Sequence, residues 1–270
     1  MKRKPKLGQN FLVDDRARHA IADALGNISQ RTIIEIGPGK GAITEILAPR
    51  AGRLIALELD RELAPALAQR FSSNPRVSIV ESDVLKVDFA SLLAHGETAD
   101  VIGNLPYYIT SDILLKLFAA GSIGVLSRAV VMMQREVADR VAASPGVRDY
   151  GLLSATAQMN AQVEHLFTLP PGAFSPPPEV YSTVLRLHFA PRFIELDVDP
   201  AGFDTFLRQS FAQKRKTLEN NLRAAGYPAA QLSASWPTVI ARQARAESLP
   251  LEAMAELYRA LHPKQTPLSL

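Results

Sequence analysis

EIGPGKGAIT, Glu35 to Thr44, sets three glycines in G-x-G-x-G spacing after an apolar run, RTIIEIG (Arg31 to Gly37), and before a helical segment, Ala42 to Leu47. Glycine passes freely through positive φ and has no Cβ to hold a ligand away. Gly37, Gly39 and Gly41 therefore suit a sharp turn whose backbone closes on a bound group. A helix starting behind the turn points unpaired N–H groups at the same place. A lone glycine turn is weak evidence. It gains weight from Glu58, near the end of the next apolar run, RLIALELD (Arg53 to Asp60), where a carboxylate can hold both hydroxyls of a ribose. Asp83 closes a third run, VSIVESD (Val77 to Asp83), at the same edge, where it can accept from an adenine amino group.

Helical stretches separate these runs. One lies near Ala17 to Leu25, another is RELAPALAQRF, and SDILLKLFA follows a fourth run, DVIGN (Asp100 to Asn104). RAVVMMQ (Arg128 to Gln134) is a fifth, and TVLRLHFAP reads as a further strand. Short, nearly continuous apolar strands alternating with helices predict an α/β fold, a parallel sheet covered on both faces. LFTLPPGAFSPPPEVYS, Leu166 to Ser182, carries five prolines and reads as a loop. After Pro191 only helices are expected: Phe203 to Phe211, Lys216 to Ala225 and Leu251 to Leu261. The predicted division is a domain over 1–190 and a small helical domain over 191–270.

Composition narrows the chemistry. The 270 residues are 47% hydrophobic and 21% charged, enough to bury a core. There is no Cys, so thiolate metal sites and Cys nucleophiles are excluded, and the five His are scattered without ligand spacing. No metal is expected. The start, MKRKPKLGQNF, is basic without an apolar stretch behind it, and no window reaches the length of a membrane span. A soluble cytoplasmic protein that does not engage a membrane is the expectation. Net charge is only +3, but Lys2, Arg3, Lys4 and Lys6 crowd the start, and Lys214, Arg215 and Lys216 are consecutive. Two readings stand: a footprint for a polyanion, or a solvated tail and a solvated face of the helix that FAQKRKTLENNL suggests.

The fourth run ends in VIGNLPYYIT, Val101 to Thr110. Asn and Pro form turns, so a plain turn is one reading of Asn104-Leu105-Pro106-Tyr107. The other is a site, because this end of a parallel sheet is where ligands bind. Ala42 satisfies the last position of a dinucleotide fingerprint, so spacing does not exclude NAD. Yet no His or Lys stands at the end of the fourth or fifth strand to serve hydride transfer.

Taken together, EIGPGKGAIT, Glu58, Asp83 and NLPY resemble the S-adenosylmethionine-dependent adenine-N6 methyltransferases. LGQNFL (Leu7 to Leu12), FSPPPEVYS and QSFAQKRKTLENNL (Gln209 to Leu222) narrow the resemblance. They are similar to the small-subunit (16S) ribosomal RNA adenine dimethyltransferases, the KsgA or RsmA family, over nearly the whole chain. The resemblance implies a Rossmann-like class I methyltransferase sheet with a small all-helical C-terminal domain, and S-adenosylmethionine as cofactor. It implies dimethylation of two adjacent adenosines in the 3′-terminal hairpin of 16S rRNA, with a role in subunit assembly, by a monomer. Asn10 and Leu12 would close over the cofactor, Gly37 would line its methionine side, and Glu35 would lie near the methionine amino group. Glu179, Tyr181 and Tyr108 depart from the commoner Lys, Asp and Asn.

The chemistry accounts for the tetrapeptide. The N6 lone pair of adenine is delocalised into the ring, and two acceptors on its protons free that pair for attack. Asn104 offers a side-chain oxygen and Leu105 a backbone carbonyl, aimed by the turn at Pro106. Tyr107 would stack on the flipped base. Phe174 is either its opposite face or plain core. Rival readings are a large-subunit rRNA adenine methylase, a DNA adenine methylase, and an RNA-binding assembly or transcription factor on the same fold.

Overall fold

The computed structural model describes residues 10–263. Its elements, in chain order, begin with β1 (Phe11–Leu12), α1 (Asp15–Asp23), β2 (Thr32–Ile36), α2 (Thr44–Leu47) and β3 (Arg53–Glu58). Next come α3 (Leu63–Arg70), β4 (Val77–Glu81), β5 (Ala99–Asn104), α4 (Thr110–Ser122), β6 (Leu126–Gln134) and α5 (Arg135–Ala142). Then follow α6 (Leu152–Asn160), β7 (Ala161–Leu169), β8 (Phe174–Ser175) and β9 (Ser182–Phe189). The last described elements are α7 (Pro200–Ser210), α8 (Leu218–Ala224), α9 (Ala229–Ser235) and α10 (Leu251–Leu261).

One seven-stranded sheet runs β4-β3-β2-β5-β6-β9-β7. The strands from β4 to β6 are parallel, as the apolar runs predict, while β9 pairs antiparallel with both β6 and β7. Every residue of β2 is buried, the mark of a central parallel strand covered on both faces. Gly103 lets β5 approach β2 closely, since a Cβ there would meet the Ile36 carbonyl at 2.6 Å. At the opposite, amino end of β5, buried Asp100 is held between Arg31 (2.6 Å) and Arg128 (2.8 Å). α1 is capped by Asp14, which accepts from the Ala17 amide, and turns Ala17, Ile21 and Ala22 into the core.

Three expectations need correction. The segment from Leu166 is not loop throughout: Leu166 to Leu169 finish β7, an edge strand whose mixed burial hides its period. Among the described residues, 139–160 form a compact unit with 191–263, while 10–138 and 161–190 form the other, so the division is not a single cut at 190. Tyr150, Ala155 and Met159 of the inserted stretch pack with Phe203, Phe206, Leu222, Met254 and Leu257. Finally, Lys214, Arg215 and Lys216 are not helical. α7 ends at Ser210 and α8 starts behind Thr217, whose hydroxyl caps the Asn220 amide. The three cations lie exposed in the turn between.

Candidate active site

The strand order reverses at β2, with β3 on one side and β5 on the other. The crevice over their carboxyl ends is the binding position of an open α/β sheet. A cavity of about 260 Å³ fills it, lined by Asn10, Phe11, Leu12, Glu35, Gly37, Gly39, Lys40, Glu58, Asp83 and Asn104 to Ile109, among others.

The glycine turn and the acid after β3 form one device. Gly37 (φ 64°) and Gly39 (φ 59°) take the left-handed conformation. The Gly39 amide donates to Glu58 Oε2 at 2.9 Å, and the Asp60 amide donates to Oε1 at 2.9 Å. Glu58 thus pins the turn while each oxygen keeps a further lone pair for a ligand. Burial pushes its carboxyl upward, opposed by the Asp60 and Gly39 amides. Gly41 belongs elsewhere: it faces α3, where a Cβ would sit 2.9 Å from Leu67 Cδ2, and it does not line the cavity. Its role is packing, a correction to the expected ligand contact.

Glu35 is wholly buried on the cavity wall, and its Oε2 has no hydrogen-bond partner. Burial, with a smaller push from the Glu58 charge, raises its pKa to about 7. Thr44 pulls the other way, although its hydroxyl makes no hydrogen bond of good geometry. A carboxyl raised by folding makes the folded state bind more protons than the unfolded chain between its ordinary value of 4.5 and about 7. Its contribution therefore falls as pH climbs through that window. Glu35→Gln should melt higher than the ligand-free parent at pH 8, with the two converging near pH 5. Thermal melts across pH check this; a constant difference between the two proteins would refute it.

At the end of β5 the Leu105 amide donates to the Met132 carbonyl (2.9 Å). The Pro106 carbonyl accepts from the Ile109 amide (3.2 Å) and from Thr110 Oγ1 (2.9 Å), which fixes the tetrapeptide turn. Asn104 Nδ2 donates to the Asn10 carbonyl at 3.1 Å, tying the segment before β1 to this turn. That bond sets the amide's orientation and leaves Asn104 Oδ1 buried without a donor. An orphaned buried acceptor costs about 1–3 kcal/mol. A ligand N–H would recover it. Burial raises the Tyr107 phenol pKa, opposed in part by its hydrogen bond with Ser182 Oγ at 2.6 Å, so it stays neutral.

The structure draws Asn10, Leu12, Glu35, Gly37, Gly39, Glu58, Asp83 and Asn104 to Tyr107 around one cavity. Asp83 Oδ1 is engaged by the Leu85 amide (3.0 Å). Phe174 is not among the lining residues. It is buried in the apolar cluster beside Leu12 and Val184, so the plain-core reading describes it, and its neighbour Ser175 reaches the cavity. The β1–β8 pairing puts it there, with Leu12 opposite Phe174 and Phe11 opposite Ser175. Lys214, Arg215 and Lys216 lie outside the cavity, and Lys214 Nζ donates to the Arg148 carbonyl (2.7 Å). Lys2, Arg3, Lys4 and Lys6 fall outside the described residues. Sequence reading missed Leu59, an apolar side chain 43% exposed between two acids, which lines the cavity with Ser82 and Tyr108. Its signal was a large apolar residue breaking an acidic strand end. Among the described residues no helix is long and apolar enough to cross a membrane.

Comparison with known proteins matches this arrangement to a family. Residues 1–262 match the model described as "Ribosomal RNA adenine dimethylase". The chain is 62% identical over 261 residues to the Ribosomal RNA small subunit methyltransferase A of Acidobacterium capsulatum, covering 96% of this chain and 92% of that protein. The protein of the same name from Koribacter versatilis is 52% identical, covering 96% and 94%. A crystal structure of a dimethyladenosine transferase from Plasmodium falciparum shares the fold, with TM-score 0.74, 21% identity and coverage of 92% and 95%. So does that of the 23S rRNA methyltransferase ErmE, with TM-score 0.68, 23% identity and coverage of 93% and 99%. At such identity the two structures speak to fold alone, whereas the family match and the sequence relatives span nearly the full length: the chain belongs to the ribosomal RNA adenine dimethylase family.

Proposed function

We propose that the protein transfers methyl groups from S-adenosylmethionine to N6 of two adjacent adenosines in the 3′-terminal hairpin of 16S rRNA. It would do so in the cytoplasm, as a monomer, on the small subunit or an assembly intermediate. The observation that carries the reaction is the orphaned Asn104 Oδ1 at the cavity, beside the Leu105 carbonyl. The names of the close relatives support the small subunit as substrate over the large one.

The cavity fits the cofactor by chemistry. The Gly37–Gly39 backbone leaves room for a close approach, Glu58 offers acceptors for ribose hydroxyls, and Asp83 one for the adenine amine. Unpartnered Glu35 Oε2 suits an ammonium. When bound, S-adenosylmethionine supplies an electrophilic methyl group on a sulfonium. The chain's own work is positional. Asn104 Oδ1 and the Leu105 carbonyl accept the two N6 protons, which turns the nitrogen lone pair out of the ring and toward the methyl. Tyr107 stacks on the base and holds that line. The methylated amine is acidic enough to lose its proton to water, so no strong base is required. Incubation with labelled S-adenosylmethionine and undermethylated small subunits, followed by nucleoside analysis, should yield N6,N6-dimethyladenosine. Label on large subunits alone would overturn the reading.

The exposed turn at Lys214, Arg215 and Lys216 is proposed to meet RNA phosphates, aided by Lys2, Arg3, Lys4 and Lys6. For every phosphate that is no longer neutralised, the log–log salt slope of binding becomes shallower by about 0.7–0.9. Reversing both clusters to Glu should weaken subunit binding and flatten its salt dependence, with S-adenosylhomocysteine affinity unchanged. If binding and slope survive the double reversal, the RNA docks elsewhere.

A further inference from the structure

A second aromatic position stands past the sheet edge that carries the tetrapeptide. β6 lies next to β5, with Met132 opposite Asn104, and ends at Gln134, opposite Ser182 of β9. The residues just beyond that last pair are Arg135 and Tyr181. The Arg135 amide donates to the Tyr181 carbonyl at 2.9 Å, and its guanidinium lies over the Tyr181 ring, 5.3 Å from the centroid. Several cation–ring pairs exist among the described residues, but the others use Phe11, Phe71, Phe89 or Trp236, which are buried or half-buried. Tyr181 alone of these rings is exposed, at 47%, and Arg135 is exposed with it. An exposed ring under a cation gains little for the fold. It is the pairing that single-stranded RNA uses, a π-face for a base and a fixed positive charge for a phosphate.

The pair is also joined to the reaction centre. Ser182, next to Tyr181 in the chain, hydrogen-bonds the Tyr107 hydroxyl at 2.6 Å. Val184 is the β9 residue level with Asn104, two strands or about 10 Å away, and Tyr181 lies three residues further along, so the diagonal is about 14 Å, a span that a nucleotide neighbouring a base held at Asn104 can bridge. Resting on the rRNA reading above, we propose that Arg135 and Tyr181 form a platform for the nucleotide adjacent to the target adenosine. Its base stacks on Tyr181 and its phosphate meets Arg135. The pair is a positioning device: it fixes the strand so that one adenosine enters the cavity while its neighbour is held outside.

Two measurements test it on the full chain. A short single-stranded RNA carrying 2-aminopurine beside an adenosine should lose fluorescence on binding to the parent protein and to Tyr181→Phe, and keep it with Tyr181→Ala. In methyl transfer to undermethylated small subunits, Tyr181→Ala should raise KM about 5- to 150-fold. Its kcat and S-adenosylhomocysteine affinity should stay unchanged, and Tyr181→Phe should restore KM. Arg135→Gln should raise KM and flatten the salt dependence by the share of about one phosphate. Equal quenching by the parent and Tyr181→Ala, or an unchanged KM, overturns the platform. A parent that methylates no subunit overturns the rRNA reading instead, and the fluorescence comparison then decides the platform by itself.

Discussion

Asn104→Ala should slow methyl transfer at saturating substrates about 10²–10³-fold, the loss typical of deleting one preorganised polar group that acts mainly in the transition state. Two interactions disappear together, and their sizes separate them. Without the bond from Nδ2 to the Asn10 carbonyl, a segment that lines the cavity loosens. A neutral hydrogen bond is worth about 0.5–1.5 kcal/mol, so cofactor affinity should drop by about tenfold at most. Losing Oδ1 removes an acceptor for the N6 protons, and that cost falls on kcat. Asn104→Asp keeps an acceptor at the position but sets its other oxygen against the Asn10 carbonyl, so it should retain more turnover than the Ala variant while losing more cofactor affinity. Single-turnover transfer on undermethylated subunits, with calorimetry on S-adenosylhomocysteine, measures both parts. An Ala variant turning over within a few-fold of the parent would remove Asn104 from the chemistry.

Glu58→Ala should weaken S-adenosylhomocysteine binding by about two to four orders of magnitude, with RNA affinity little changed. The side chain is expected to accept two ribose hydroxyls as charge-assisted bonds, each worth about 1.5–3 kcal/mol. It also holds the Gly39 and Asp60 amides, so its removal frees the turn that shapes the cavity. Glu58→Gln is no gentle control. Whichever oxygen becomes NH₂ then faces a backbone N–H, donor against donor. Both variants should bind more weakly in calorimetry, the Gln form by clash and the Ala form by loss. Unchanged affinity in Glu58→Ala would sink the ribose assignment.

Features written within a few residues of one another were legible in the sequence. The positive-φ glycines at 37 and 39, the acid ending β3 and the tetrapeptide ending β5 are each set by local pattern, and a parallel sheet aligns strand ends automatically. What failed depends on partners distant in the chain. Nothing local distinguishes Gly41, which faces α3, from Gly39, which faces the cavity. Phe174 is buried because β8 pairs with β1, at the far amino end of the described chain, and no periodicity announces such a pairing. β7 was hidden because its exposed Glu164 and His165 interrupt the alternation that marks a strand. The turn at Lys214 was within reach, since Thr217 is a favoured N-cap residue, but good helix formers on both sides masked it.

The β1–β8 pairing has a consequence for synthesis. Chains are made from the amino end, and domains usually begin to fold as they emerge. Here Asn10 to Leu12, which line the cavity, are made before every strand of the seven-stranded sheet. Their partners at Phe174 and Ser175 arrive much later, with β9 later still. Until β8 is made, the glycine turn and β2 exist while β1 has no strand to pair with. The strand that lines the cavity from the amino side thus gains its pairing only after the whole parallel part of the sheet has been made.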